Sequence, residues 1–249
     1  TVVTGFNRID GVLGGTRSDT LNLRPLNAGT PLPGNLVLDG AGSRYTELVT
    51  NQTLDFDGFE NINTGDGTDT VSVNTDFSAN LNTGNGTSSV TLAAGVTLTG
   101  TFTSGSGADV LLLNAGATIT GNVALGAGAD SVQLNNSATI NGTLDGDAGS
   151  DTLNFSNYAS ARTVTLQAAD ATDGGFDGAT AAVNGGANSG FLSIDNFIGT
   201  AAATDILIGR NVNSTWTIDT TNEYRDLSTA PNTSASFSNF EDLRGGAAA

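Results

Sequence analysis

The chain of 249 residues carries 25 acidic against 8 basic side chains, a net charge of −17, and neither Cys nor His. That composition removes thiolate and imidazole metal sites and the nucleophilic triads built on those side chains, and an acidic surface of this kind repels nucleic acid and anionic membrane. Hydrophobic residues make up 37%, which leaves a disordered chain or a fold with a thin core as the competing classes.

Residues 1 to 23 introduce a pattern that returns at 54–73, 191–208 and 235–249. Each copy has a Phe (Phe6, Phe59, Phe197, Phe240), and three have an Ile or Leu beyond a polar pair (Ile9, Ile62, Leu243). A Gly-containing turn follows in all four. In the first three an Asp then precedes an aliphatic strand, as in Asp19/Leu21, Asp69/Val71 and Asp205/Ile206. The fourth copy reaches Gly245-Gly246 where its next strand would begin. The expectation is that the sequence belongs to a longer array or stacks end to end, with Phe6, Ile9, Phe240 and Leu243 as self-association residues.

Residues 24–34 hold Pro25, Pro31 and Pro33, three of the four prolines, and are expected to bulge from the pattern as a loop excursion. A strand over Asn35 to Leu38 follows. Residues 51–166 are the regular part. The third residue of each Gly-x-Gly turn falls at Gly67, Gly86, Gly107, Gly128 and Gly149, in steps of 19, 21, 21 and 21. A fixed period near 20 without a helix-forming run is the mark of a solenoid whose repeats are single coils.

Behind each turn stand apolar pairs two apart: Val71/Val73, Val90/Leu92, Leu111/Leu113, Val132/Leu134 and Leu153/Phe155. That is the alternation of a strand with one buried face; Leu112 interrupts the polar column and is expected to be exposed. Leu98, Ile119 and Ile140 predict a second strand; Gly100, Gly121 and Gly142 a corner; and Phe102, Val123 and Leu144 a third strand. Disorder would not keep such columns in register. The fold class is therefore all-β, a single parallel β-helix (β-solenoid) over 1–249 with about 20–21 residues per coil. Right-handed crossovers are the expectation, and coils would stack about 4.8 Å apart. Residues 167–190 lack alternation and are expected to form a second loop excursion, after which 191–249 resume the coils with Trp216 and Tyr224 packed at the edge.

All but four of the acidic residues are Asp, the residue of turns. The lines GAGADSVQLNNSATINGTLDGDAGSDTLNF and FSNFEDLRGG resemble secreted bacterial β-helix proteins, the passenger regions of autotransporters and filamentous-haemagglutinin-like adhesins. The turns Gly65 to Val71, Gly105 to Leu111 and Gly126 to Val132 also resemble the calcium-binding RTX repeat Gly-Gly-x-Gly-x-Asp-x-aliphatic-x. Two departures matter: the first Gly is replaced throughout, and the motif occurs once per coil. By that resemblance Asp69, Asp109, Asp130 and Asp151 are candidate Ca²⁺ ligands, since hard cations take six to eight oxygens. The competing reading makes them caps on turn N–H groups. Asn74, Asn114 and Asn135 read as an amide ladder.

Together these readings imply a non-enzymatic structural or adhesive protein of the bacterial cell surface or extracellular matrix, without a catalytic site. Its partners would be itself end to end, neighbouring repeats of a longer chain, or surface glycans and other cells, with no nucleic acid and no membrane insertion. The alternative is a self-assembling filament or surface-layer subunit stacking head to tail. A polysaccharide-acting enzyme working through a carboxylate pair is the outside reading. The sequence shows no signal peptide and no apolar run of spanning length, so a mature protein or excised segment is expected; missing Cys fits folding outside the cell.

Overall fold

The computed structural model describes residues 2–3 (backbone only), 11–23, 32–40, 42–49, 51–202, 204–229 and 233–246. Phe6, Ile9, Pro25 and Pro31 lie outside the described residues. The chain is all-β: among the described residues two sheets of twelve and thirteen strands run along the molecule, accompanied by a four-stranded and a two-stranded sheet. Most neighbours pair in parallel, giving a solenoid-like stack.

The predicted columns are present as parallel ladders. Val71, Val90, Leu111, Val132 and Leu153 lie opposite one another in the thirteen-stranded sheet. Ile62, Leu81, Phe102, Val123 and Leu144 do so in the twelve-stranded sheet. Phe77, Leu98, Ile119 and Ile140 form the four-stranded sheet. These side chains are buried, apart from the partly buried Phe77, and each large one contributes roughly 1.5–3 kcal/mol by leaving water. Leu112 points away from this core as the alternation requires, yet it is half-buried, because it lies between Thr91 and Gln133 of the flanking strands.

The turns stack closely enough to demand glycine. A Cβ on Gly128 would lie 1.8 Å from the Gly107 carbonyl oxygen, and one on Gly149, at φ +151°, would lie 1.5 Å from that of Gly128. Both contacts are with backbone, so neither can relax by a side-chain rotation.

Residues 167–190 contain more structure than the loop expected there. Thr163–Ala169 and Phe176–Ala179 pair antiparallel and enter the twelve-stranded sheet between Phe191–Ile194 and Ile206–Ile208. Phe176, Gly178 and Thr180 point inward in alternation, a strand pattern hidden among Gly, Ala and Thr. Across this arm the ladder continues: Leu153 pairs with Phe197.

The thirteen-stranded sheet ends in an antiparallel meander on each side. At one end Gly34–Leu38, Ser43–Glu47 and Gln52–Asp57 zigzag before Gly11–Leu13 adds in parallel. At the other, Thr233–Ser238, Glu223–Asp226 and Ser214–Thr217 do the same.

Candidate functional site

Each column Asp stands one residue ahead of a strand, and the pairing of those strands brings the carboxylates inside the stack. Asp69, Asp109, Asp130 and Asp151 are 0–2% exposed. Asp109 Oδ1 accepts the Ser88 N–H at 2.6 Å, Asp130 Oδ1 the Asp109 N–H at 2.6 Å, and Asp151 Oδ1 the Asp130 N–H at 2.8 Å. Asp69 Oδ1 accepts the Gly34 N–H at 2.9 Å, and Asp195 extends the column by accepting the Asp151 N–H at 2.9 Å. The carboxylates are backbone caps, but each caps the neighbouring repeat rather than its own turn.

The second oxygen divides the column. Asp69 Oδ2 accepts the Thr64 hydroxyl at 2.5 Å, and Asp205 Oδ2 accepts both the N–H and the hydroxyl of Thr200 at 2.6 Å. Those threonines sit five residues before their Asp. At that position Asp130 has Leu125 and Asp151 has Gly146, neither with a hydroxyl, while Ser104, ahead of Asp109, donates to the Leu125 carbonyl at 2.5 Å. Oδ2 of Asp109, Asp130 and Asp151 is accordingly buried with no hydrogen-bond partner among the described residues. The Ser88 and Thr83 hydroxyls are equally unpartnered where Ser replaces the Asp.

Burial raises the carboxyl pKa along the column, opposed by the backbone hydrogen bonds and reinforced at two positions by like charge. Asp130 is pushed up to about 6, first by desolvation and then by the Asp109 and Asp147 charges, against the Asp109 N–H. Asp151 is pushed up to about 7 by desolvation, with Asp130, Asp195 and Asp147 adding to it. Asp69, Asp109 and Asp195 are also raised, each chiefly by burial. Among the described residues, no three acidic side chains are placed to hold a metal ion together.

Of the expected self-association residues, Phe240 and Leu243 are partly buried against the core, and Leu243 pairs with Leu207. The structure places Phe197 opposite Phe237 rather than making it the counterpart of Phe240. The amide ladder is formed by Asn114 and Asn135: Asn135 Nδ2 donates to Asn114 Oδ1 at 3.1 Å, and Asn114 Nδ2 to the Leu92 carbonyl at 3.0 Å; Asn74 is exposed. Arg210 pairs with Asp226 and Arg225 with Glu223, whereas Arg162 lies over the Tyr158 ring, 4.4 Å from its centroid.

Sequence reasoning missed that Asp195 belongs to the column, because no Gly-x-Gly turn precedes it; Asp followed two residues later by an inward apolar side chain is the signal that finds it. It also missed Glu60 and Glu241, whose Oε2 atoms accept the N–H of Asp19 at 2.7 Å and of Asp205 at 3.0 Å. An open polar groove lined by Ser150, Asp195, Asn196, Thr221, Glu223, Ser234 and Ser236 lies beside the last repeats. Its two carboxylates are engaged, Asp195 by the Asp151 N–H and Glu223 by Arg225 at 3.1 Å. No protein-family model, curated protein or solved structure matches the chain.

Proposed function

We propose that the chain is a non-enzymatic structural element of a bacterial cell-surface adhesin or extracellular matrix fibre, built as a right-handed β-helix of about 20–21 residues per coil. The observation that carries this reading is the continuous ladder of parallel strands, whose turns are tied repeat to repeat by buried carboxylates. Such a ladder resists extension and bending through many backbone hydrogen bonds loaded together, which suits a part that projects or links surfaces. The two carboxylates of the polar groove are both tied into hydrogen bonds or ion pairs, which speaks for a scaffold rather than a glycan-cleaving pair. Antibody raised against the purified chain should label the surface of intact cells of the source organism, and deletion of the gene should reduce attachment. Labelling confined to the cell interior refutes the proposal.

A second reading, a subunit that stacks head to tail, is favoured by strand edges that carry no further strand among the described residues, with Leu13 and Ile218 exposed. Calcium rests on the RTX resemblance and on the unpartnered oxygens of Asp109, Asp130 and Asp151. Calorimetry decides it: absence of heat at millimolar Ca²⁺, with an unchanged melting temperature in chelator, leaves the column as backbone caps.

A further inference from the structure

The two ends of the molecule are copies of one another. Pairing Val12 with Phe56 at the start matches pairing Phe197 with Phe237 near the end, and Leu21 with Ile62 matches Leu207 with Leu243. Gly14 N–H bonds the Asp57 carbonyl at 2.7 Å as Gly199 N–H bonds that of Ser238 at 2.8 Å. Gly58 and Asn239 take the same left-handed turn position, at φ 72° and 59°. Glu60 caps Asp19 as Glu241 caps Asp205. In the meanders, Tyr45 lies opposite Leu36 and Tyr224 opposite Trp216. The equivalence therefore sets Gly34 against Ser214, Leu36 against Trp216, and Leu38 against Ile218.

The copies differ in what covers them. The outer edge of Gly34–Leu38 is occupied by Thr70–Val73 in parallel, with Leu36 opposite Val71 and Leu38 opposite Val73. Asp69 of that strand caps the Gly34 N–H, and Leu36 and Leu38 are fully buried beneath it. The outer edge of Ser214–Thr217 has no strand on it among the described residues. Ile218, the counterpart of Leu38, is 63% exposed, and Trp216 is only partly buried. The equivalent end of the molecule thus specifies a missing occupant: a parallel strand with an inward apolar residue over Trp216.

We propose that this edge binds a second copy of the chain through its strand Gly11–Leu13. Among the described residues that strand is the opposite terminal edge of the same sheet, and it runs in the direction required. Leu13 is 80% exposed, and Val12 is the inward residue. In sequence Asp10 leads it as Asp69 leads Val71. Translation along the stack sets Val12 of the second copy opposite Trp216 and Leu13 opposite Thr217. The contact joins two different surfaces, so it repeats into an open filament rather than closing into a dimer, with main-chain hydrogen bonds as the cohesive element.

This inference rests on the self-association reading above. Because the chain has no Cys, Leu13→Cys and Thr217→Cys can be made singly, mixed at millimolar concentration and treated with a short thiol cross-linker. Cross-linked dimer should form in the mixture well above either variant alone. Adding Ile218→Lys to the Thr217→Cys chain should cut that yield about tenfold, the weakening expected when a charge enters an apolar contact. The melting temperature should be unchanged, since Ile218 is exposed in the single chain. No excess of cross-link in the mixture, or insensitivity to Ile218→Lys, overturns the interface. A chain that stays monomeric while its antibody still labels the cell surface overturns the interface alone and leaves the structural reading standing.

Discussion

Asp130→Asn should make the protein more stable at pH 8, although it alters a buried, hydrogen-bonded residue. Asn keeps the Oδ1 that accepts the Asp109 N–H and puts a neutral amide NH2 in place of the charged oxygen that has no partner. The carboxyl titrates at about 6 in the fold against about 4 in an unfolded chain. Its folded pKa is the higher one, so its stabilising contribution is complete below about pH 4 and is lost as pH rises through 6. Two pKa units correspond to about 3 kcal/mol, and the buried amide NH2 left without an acceptor offsets part of this, leaving on the order of 1–2 kcal/mol. For a chain of this size that is a rise of a few degrees in melting temperature at pH 8, shrinking towards zero at pH 4. Circular dichroism melts at pH 4, 5, 6, 7 and 8 read it directly. Asp66→Asn, which removes the same charge from an exposed turn, controls for net charge. If Asp130→Asn is less stable than the parent at pH 8 by as much as at pH 4, the carboxylate is a net stabiliser and the reasoning fails.

Leu113→Asp should unfold the neighbouring repeats, since Leu113 is fully buried and an unpaired charge there costs several kcal/mol; Leu112→Asp should cost far less, and equal losses in denaturant titration would reverse the register. Gly128→Ala should destabilise by about 3 kcal/mol or more, because its Cβ meets a carbonyl at 1.8 Å. Gly95→Ala, with open space but φ +72°, should cost about 1 kcal/mol, and similar losses at both sites would contradict the close stacking. Tyr158→Phe removes the 2.7 Å bond from its hydroxyl to the Ala138 carbonyl and should lower stability by about 1–2 kcal/mol, again from denaturant titration.

The regular part of the fold is legible in the sequence because stacking makes neighbours of residues one repeat apart. Val90, Leu111 and Val132 announce a column by their spacing alone. The strand Phe176–Ala179 is not legible. The inward positions there and just beyond it are Phe176, Gly178 and Thr180, and only Phe176 signals burial by its side chain. The turn motif finds the Asp column but misplaces it. An Asp beside two glycines looks like a solvent-facing turn residue, and only the strand pairing turns the carboxylate onto the N–H of the next repeat. The unpartnered oxygens depend on a hydroxyl missing five residues upstream, at Leu125 and Gly146, a relation that no local pattern reveals. The duplicated ends show in the sequence as a recurring Phe, but that recurrence matches Phe197 to the wrong partner because the insertions between strands differ in length.

The ladder from Leu153 to Phe197 spans 44 positions (197 − 153), whereas the ladder from Val132 to Leu153 spans 21 (153 − 132). The extra 23 residues leave the pairing on both sides intact, and doubling the connection adds only about 0.6 kcal/mol of closure entropy. The stack therefore behaves as a text whose grammar counts lines and ignores their length. Its gene can grow by copying whole lines or by writing new material between Phe155 and Phe191, and each revision leaves the older lines readable. Variation among descendants of such a gene should accordingly collect in the arm and in the number of repeats, while the glycines and aspartates of the turns stay in place.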